Sequence, residues 1–360
     1  MAKKIFEGKK VLVTGGTGSM GKTLVKRLLA GEDGVPEKIT VLSRDEAKQH
    51  DMRLDFMHLQ GSTDEAIYDN FKRTLEFRIG DVRSYEDVLS AMRGCDTVIN
   101  AAAMKQVPTC EYFPHQAVLT NCIGAEHVVR AAAEPNMNVE TVIGVSTDKA
   151  VQPVNVMGMS KSIQERIFIA GNLTAPNTRF VCVRYGNVLA SRGSVIPLFH
   201  KQIKSGKAVT LTDPNMTRFF ISLQEGVDTV FNAFEHAKAG EIFVLNAPST
   251  TVDTLAKALI GDRGNPIEVV GIRPGEKMHE IMISTEESAR TRKVGNFYGV
   301  QAMLPELYET PSDNENRPLQ SEFSSENNVM GLEDTIALLQ RHKLMIEDDV
   351  DFNQASELLR

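Results

Sequence analysis

The sequence has no tryptophan and, in 360 residues, only four cysteines: Cys95, Cys110, Cys122 and Cys182. None of them lies in a Cys-x-x-Cys pair or beside a paired-histidine motif, so neither a zinc or other metal site nor a disulfide scaffold is expected. Such scattered thiols fit a reducing, cytoplasmic compartment. No apolar run reaches the ~18–20 residues that a bilayer crossing takes, so no membrane insertion is expected. The Met1-Ala2-Lys3-Lys4 start is not followed by the apolar core of a signal peptide. Positive charge is short as well: 40 Lys and Arg against 47 Asp and Glu leave a net charge of −7. A nucleic-acid partner calls for a basic surface and is therefore not expected. The rest, 42% hydrophobic and 24% charged with 26 Gly and 14 Pro, is ordinary globular usage. At ~150 residues per domain the chain is long enough for two lobes.

What is present is a rhythm. Lys10–Thr14 and Lys38–Leu42 read as strands around a helical Gly21–Leu29. Leu75–Ile79, Thr97–Ala101, Val142–Ser146 and Phe180–Arg184 continue the series at the spacing of successive βα units. Strands apolar on both faces and separated by helices predict a parallel sheet covered on both sides, and right-handed crossovers make it doubly wound. The expected fold class is α/β, a Rossmann-type sheet over residues 1–186. After Gly186 the rhythm breaks into shorter strand candidates, Ala208–Leu211, Ile242–Leu245 and Pro266–Val270. These predict a smaller lobe over residues 187–310, with segments near 220–247 returning to the sheet. The final segment, 311–360, reads as loop, helix and tail, with Thr310–Asn328 polar and Leu332–His342 helical.

The first strand runs into Thr14-Gly15-Gly16-Thr17-Gly18-Ser19-Met20-Gly21-Lys22-Thr23. Read from Gly16, this matches the phosphate loop of NTPases. Read from Gly15 it is Gly15-x-x-Gly18-x-x-Gly21, the dinucleotide loop of short-chain dehydrogenase-type proteins. Both readings place backbone N–H groups and a helix N-terminus under phosphates, and the loop alone leaves both open. The ends of the next strands separate them. The second strand ends in Leu42-Ser43-Arg44-Asp45, with Lys48 one helical turn on. Arg44 and Lys48 put two cations where a ribose 2′-phosphate would sit, whereas an NAD site offers a carboxylate there. Asp81 and Val82 close the third strand beside an adenine edge, and Ala101, Ala102 and Ala103 let a dinucleotide lie close. The expectation is NADP, held by Gly15, Thr17, Gly18, Ser19, Met20, Gly21, Ser43, Arg44, Lys48, Asp81, Val82 and the three alanines.

The fifth strand ends in Ser146-Thr147-Asp148-Lys149, at the sheet edge where doubly wound folds bind ligands. Met157-Gly158-Met159-Ser160-Lys161 begins eight residues later. These segments are joined by Ser43-Arg44-Asp45-Glu46, Ala102-Ala103-Met104-Lys105-Gln106-Val107-Pro108, Met216-Thr217-Arg218-Phe219-Phe220 and Arg273-Pro274-Gly275-Glu276-Lys277. Together they make the chain resemble the soluble UDP-N-acetylglucosamine 4,6-dehydratases. That group belongs to the polysaccharide-biosynthesis branch of the extended short-chain dehydrogenases, and several of its members invert carbon 5. The likeness runs from about residue 8 to about residue 300. One departure stands out. The second motif is usually Tyr-x-x-x-Lys, and Met157 holds the tyrosine position. A thioether does not transfer protons at neutral pH, but the capsule-type members of the group also carry Met there.

The resemblance implies a reaction and a set of roles. Hydride leaves sugar carbon 4, the resulting ketone acidifies the carbon 5 hydrogen, the carbon 6 hydroxyl is eliminated, and hydride returns to carbon 6. Lys149 is then the base, Asp148 the acid, and Lys161 the residue on the nicotinamide ribose of a tightly bound, recycled NADP, with Asn121 beside the cofactor. Lys105, Thr147, Met157, Asn187, Arg218, Arg273 and Glu276 face the UDP-sugar. The guanidinium fork suits Arg218 and Arg273 to the pyrophosphate, and Met157 shapes the pocket without chemistry. A lysine base must be neutral, although the free value is ~10.4. Lys161 and the oxidised nicotinamide are expected to push Lys149 down. A homo-oligomer, hexamer or dimer, is also implied. Rival readings are a nucleotide-sugar 4-epimerase, which has no need of an elimination pair, a non-catalytic NADP-binding regulator, which the absent phenol fits, and a phosphate-loop NTPase.

Overall fold

In the computed structural model of the chain, residues 4–57, 67, 70–189, 194–308 and 319–348 are described. The first six strands are β1 Lys10–Thr14, β2 Lys38–Ser43, β3 Leu75–Ile79, β4 Thr97–Asn100, β5 Thr141–Val145 and β6 Arg179–Arg184. They are the apolar, β-branched runs expected from the sequence, with ends shifted by one residue at most. Ten further strands follow: β7 Asn187–Val188, β8 Val209–Leu211, β9 Thr217–Ile221, β10 Ile242–Leu245 and β11 Ser249–Thr251, then β12 Ile267–Val269, β13 Ile281–Ile283, β14 Thr291–Val294, β15 Phe297–Val300 and β16 Phe323–Ser324. Nine strands form one sheet in the order β14-β15-β10-β6-β5-β4-β1-β2-β3. From β3 to β10 every pairing is parallel. The β14–β15 hairpin adds antiparallel to β10. The run 3-2-1-4-5-6 is the strand order of doubly wound dinucleotide folds, as expected. The remaining strands make small ladders: β11-β9-β7, β12-β8 and β13-β16. Part of the expected polar loop and the end of the tail lie outside the described residues.

The alternation of side chains along the strands divides the interior. Leu12, Val98, Val142 and Cys182 face one way, under helices Tyr85–Met92 and Gly124–Ala132. Val11, Val13, Ile99, Ile143 and Val183 face the other, under helices Ser19–Ala30 and Leu223–His236. A third core gathers Leu189, Phe199, Leu211, Phe220, Leu259 and Leu339, so that helices Val195–Lys204, Val252–Ile260 and Leu332–Arg341 pack together. Burying apolar side chains at about 25 cal/mol per Å² is what holds all three layers.

Two junctions carry the functional side chains to one end of the sheet. After β5 the chain makes a short 3₁₀ turn, Asp148–Ala150, and then enters the long helix Val156–Thr174. Asn155 caps that helix by accepting from the Gly158 N–H at 2.8 Å and donates to the Gly275 carbonyl at 2.9 Å, tying the 270–277 loop to the helix start. Gly158 lies so close to the turn that a Cβ there would fall 2.2 Å from the Lys149 carbonyl oxygen. Only a glycine lets the helix rest on the turn.

Candidate active site

The glycine loop forms a cradle. Gly15 takes φ +67, and a Cβ on it would meet the Ala102 backbone at 2.7 Å. Gly18 is the N-cap of helix Ser19–Ala30, with no side chain closing the helix end and no acid in its first turn. Those first N–H groups and the helix dipole therefore face an open, positive niche, which suits a pyrophosphate. Thr17 Oγ1 and Ser43 Oγ lie 2.8 Å apart, joining the loop to the end of β2. Ser19 and Met20 start the helix, with Met20 packed toward Gly226. Lys22, which an NTPase loop would aim at phosphate, instead donates to Asp55 at 3.1 Å. With Lys22 so engaged, the loop keeps the Gly15-x-x-Gly18-x-x-Gly21 turn and a bare helix end.

Around the expected adenosine the charges are already paired. Arg44 lies 3.6 Å from Asp81, and Lys48 lies 2.9 Å from Asp45, with both cations more than half exposed. The Asp81 carboxylate is gripped by Arg83 through Nε at 2.8 Å and Nη2 at 2.6 Å. Burial would raise Asp81, but Arg83 and Arg44 outweigh it and hold the carboxyl below its ordinary value. Val82 is buried under the helix wall, near Gly124. Ala101 and Ala102 are half-buried beside the glycine loop and Ala103 is exposed. Asn121, expected beside the cofactor, is bonded to its own chain. Its amide donates to the Met104 carbonyl at 3.0 Å and to Ser160 Oγ at 2.9 Å, and accepts from Met104 N–H at 2.9 Å. These bonds tie the 101–106 segment to the helix Val156–Thr174.

The end of β5 holds a buried charged cluster. Asp148 is fully buried, and its Oδ1 accepts from Lys149 Nζ at 3.0 Å and from Thr147 Oγ1 at 2.8 Å. Lys149 Nζ also donates to Asn187 Oδ1 at 3.1 Å and lies 3.3 Å from Glu280 Oε1. Glu280 is not among the residues expected from the sequence. It is 3% exposed and stands at the start of β13, with Arg218 Nε 4.0 Å away. Asp148 Oδ2 and Glu280 Oε2 are buried without a hydrogen-bond partner among the described residues. Burial disfavours the Lys149 ammonium, but Asp148 and Glu280 outweigh it and hold the lysine above its ordinary value. This corrects the expectation of a depressed lysine. Lys161 is not the neighbour that sets Lys149. Its Nζ donates to the Val145 carbonyl at 2.5 Å and to Gln164 at 2.8 Å, and burial pushes Lys161 itself down to about 8.

The substrate-side residues divide. Arg218 is buried, donating to the Thr217 and Met278 carbonyls at 2.7 and 3.1 Å. It stands beside the cluster, and its guanidinium is partly spent on its own backbone. Arg273 is exposed on the 270–277 loop, and Glu276 is half-buried with Oε2 unpartnered among the described residues. Lys277 from the same loop reaches down to the Val151 carbonyl at 2.6 Å, a contact the sequence does not announce. Lys105 is exposed at the lip. Met157 is 4% exposed and packs with Cys110 and Ala117. Its thioether fills an apolar pocket under the first turn of the helix, and no phenol takes its place there. Among the described residues no group of three or more His, Cys, Asp or Glu side chains could hold a metal ion, and no helix is long and apolar enough to cross a membrane.

The sequence profile of a family described as "Polysaccharide biosynthesis protein" matches residues 11–302. The chain is 46% identical over 302 residues to a Rickettsia typhi protein named UDP-glucose 4-epimerase, covering 82% of this chain and 84% of that one. A Rickettsia conorii protein of the same name is 47% identical over 301 residues, with the same coverage. Among solved structures, Pen from Bacillus thuringiensis superposes with a TM-score of 0.82 at 33% identity, over 94% of this chain and 99% of that one. The dTDP-glucose 4,6-dehydratase DesIV from Streptomyces venezuelae, solved with NAD and TYD bound, gives a TM-score of 0.62 at 21% identity, over 75% and 86% of the two chains.

Proposed function

The chain belongs to the polysaccharide biosynthesis protein family, and from that premise we propose that it is an NADP-dependent 4,6-dehydratase of UDP-N-acetylglucosamine that inverts carbon 5. The observation that carries this reading is the 3.0 Å contact between Lys149 and Asp148 at the carboxyl end of β5. The residues fit the cofactor: an uncapped helix end and a Gly15 seated on Ala102 suit the pyrophosphate, and Arg44 and Lys48 suit a 2′-phosphate. Bound there, NADP would accept a hydride from carbon 4 and return it to carbon 6. The chain's own residues handle the protons. With no phenol at position 157, Asp148 takes the proton of the carbon 4 hydroxyl and later gives it to the departing carbon 6 hydroxyl. Lys149, as the amine, takes the carbon 5 proton from one face, and inversion follows when a solvent proton reaches that carbon from the other. Asn187 orients Lys149, and Lys161 serves the ribose. The segments after Gly186 that share the third core act as the nucleotide-sugar lobe, with Arg218, Arg273 and Lys105 on the diphosphate side and Glu276 toward the uridine ribose. We place the enzyme in the cytoplasm as a homo-oligomer.

A second reading is a 4-epimerase, favoured by the names of the Rickettsia relatives. It leaves Lys149 without a task, because re-reduction at carbon 4 needs no base for carbon 5. Incubation with UDP-N-acetylglucosamine in deuterated water, followed by NMR, separates the two. A dehydratase produces a carbon 6 methyl group and deuterium at carbon 5, and the ring couplings report inversion there. A carbon 4 epimer with protium at carbon 5 would replace the first reading by the second.

A further inference from the structure

We infer that Glu280 is the keeper of the Lys149 proton, holding the lysine charged at rest and accepting that proton when the site is engaged. The inference rests on the reading of Lys149 as the acid–base group, and it deepens that reading. Lys149 is bracketed: Asp148 lies on one side at 3.0 Å and Glu280 on the other at 3.3 Å. Glu280 reaches this position from the far end of the sequence and is fastened there. Its N–H donates to Ser325 Oγ at 2.9 Å, its carbonyl accepts from the Ser325 N–H at 2.8 Å, and the β13–β16 ladder begins at the next residue. A buried carboxylate oxygen without a donor is costly, and Glu280 Oε2 is such an oxygen.

Two carboxylates around one lysine also resolve a conflict in the chemistry. Asp148 must enter the reaction ionised if it is to take the carbon 4 hydroxyl proton, so it is not the store for the proton that Lys149 has to lose. Glu280 is. The Nζ–H bond breaks, an Oε–H bond forms, and an ammonium–carboxylate pair becomes an amine and a carboxylic acid, with no change in total charge. The other charged groups facing Lys149 are the cations Arg218 and Lys277, which accept no proton. Glu280 touches Lys149 rather than any reacting carbon, so it is a positioning residue.

The test is competitive labelling of Lys149 with trace acetic anhydride across pH 7 to 10.5, read by peptide mass spectrometry on the intact chain and on Glu280→Gln and Glu280→Asp. Without the Glu280 charge the amine forms at lower pH, so labelling at pH 8 should rise about tenfold in Glu280→Gln. In Glu280→Asp it should stay near the parental rate. If Glu280→Gln does not fold, Glu280→Ala is labelled in its place: a raised rate at pH 8 upholds the assignment and a parental one overturns it. Parental labelling in a folded Glu280→Gln also overturns it. The labelling needs no substrate. A shifted labelling curve in a protein that puts no deuterium on carbon 5 upholds the charge relation and sinks the dehydratase reading instead.

Discussion

Two buried triads of carboxylate, cation and carboxylate lie a few residues apart in this molecule, and only one is closed. Arg184 sits between Glu165, at 2.7 and 2.8 Å, and Glu287, at 2.7 and 2.9 Å, and donates to the Met282 carbonyl as well. Ser146 and the Ser284 N–H complete the set. Every carboxylate oxygen has a donor, and the planar guanidinium fixes the geometry. Around Lys149 the parts are similar, but two carboxylate oxygens lack donors among the described residues and the ammonium rides on a flexible stem. A saturated network rigidifies, whereas a buried oxygen left without a donor is costly and calls for a partner. The first triad holds β6 to the helix Val156–Thr174 and to the segment after β13, and the second uses the frame so built.

The sharpest way to break this comparison is Arg184→Met. It strands two buried carboxylates and should cost about 3–5 kcal/mol of stability, read as a large fall in the thermal midpoint. The closed triad also sets an acid limit. Burial would raise Glu287, but Arg184 outweighs it and holds the carboxyl below its ordinary 4.5. A carboxylate lowered in the folded state stabilises above its unfolded pKa and loses that contribution as pH falls through the folded value. Acid unfolding below pH 4.5 should therefore be shallower in Arg184→Met than in the parent, and equally steep curves would deny the triad this role.

Lys149→Met tests the open triad. Turnover should drop by the ~10²–10⁴-fold of a lost general base. The thermal midpoint should fall less than in Arg184→Met, because Arg218 and Lys277 still face the two carboxylates. A midpoint as low as that of Arg184→Met would make the two clusters equivalent and remove the contrast. The smallest expected effect lies outside both clusters. Arg44→Ala should narrow the preference for NADP over NAD by the ~1.5–3 kcal/mol of a charge-assisted bond, measured as the ratio of the two dissociation constants. Equal affinities in the parent would end the 2′-phosphate assignment.

The sheet is legible in the sequence because its information is local. Val11-Leu12-Val13 and Val142-Ile143 are apolar on both faces, and only a covered parallel sheet satisfies that. β9 is hidden by a charged residue, Arg218, and β11 by the run Ser249-Thr250-Thr251. Such strands are fixed by their pairing partners rather than by their own pattern. Asp148 and Lys149 are legible because a strand end in this fold is a ligand edge. Glu280 is not, because nothing in its neighbourhood refers to residue 149. The available signal is a carboxylate directly before the apolar Ile281-Met282-Ile283, three residues beyond the Arg273–Lys277 segment. The bonds of Asn121 to Met104 and Ser160 are hidden for a similar reason: a buried amide is as ready to tie loops together as to face a cofactor. The lysine expected to be depressed is not, because Asp148 and Glu280 outweigh its burial, while the helical register sends Lys161 to the Val145 carbonyl.

Gly158 has a consequence for how such chains are found. A search keyed to the phenol of Tyr-x-x-x-Lys passes over this sequence, because Met157 stands there. The contact of Gly158 with the Lys149 carbonyl is steric and indifferent to what residue 157 does. A pattern of Asp-Lys at a strand end, glycine nine residues after the lysine, and a second lysine three residues later tracks the shape of the turn. Sorting sequences by that shape would bring phenol-bearing and thioether-bearing chains into one set, where the fate of the carbon 4 proton can be compared side by side.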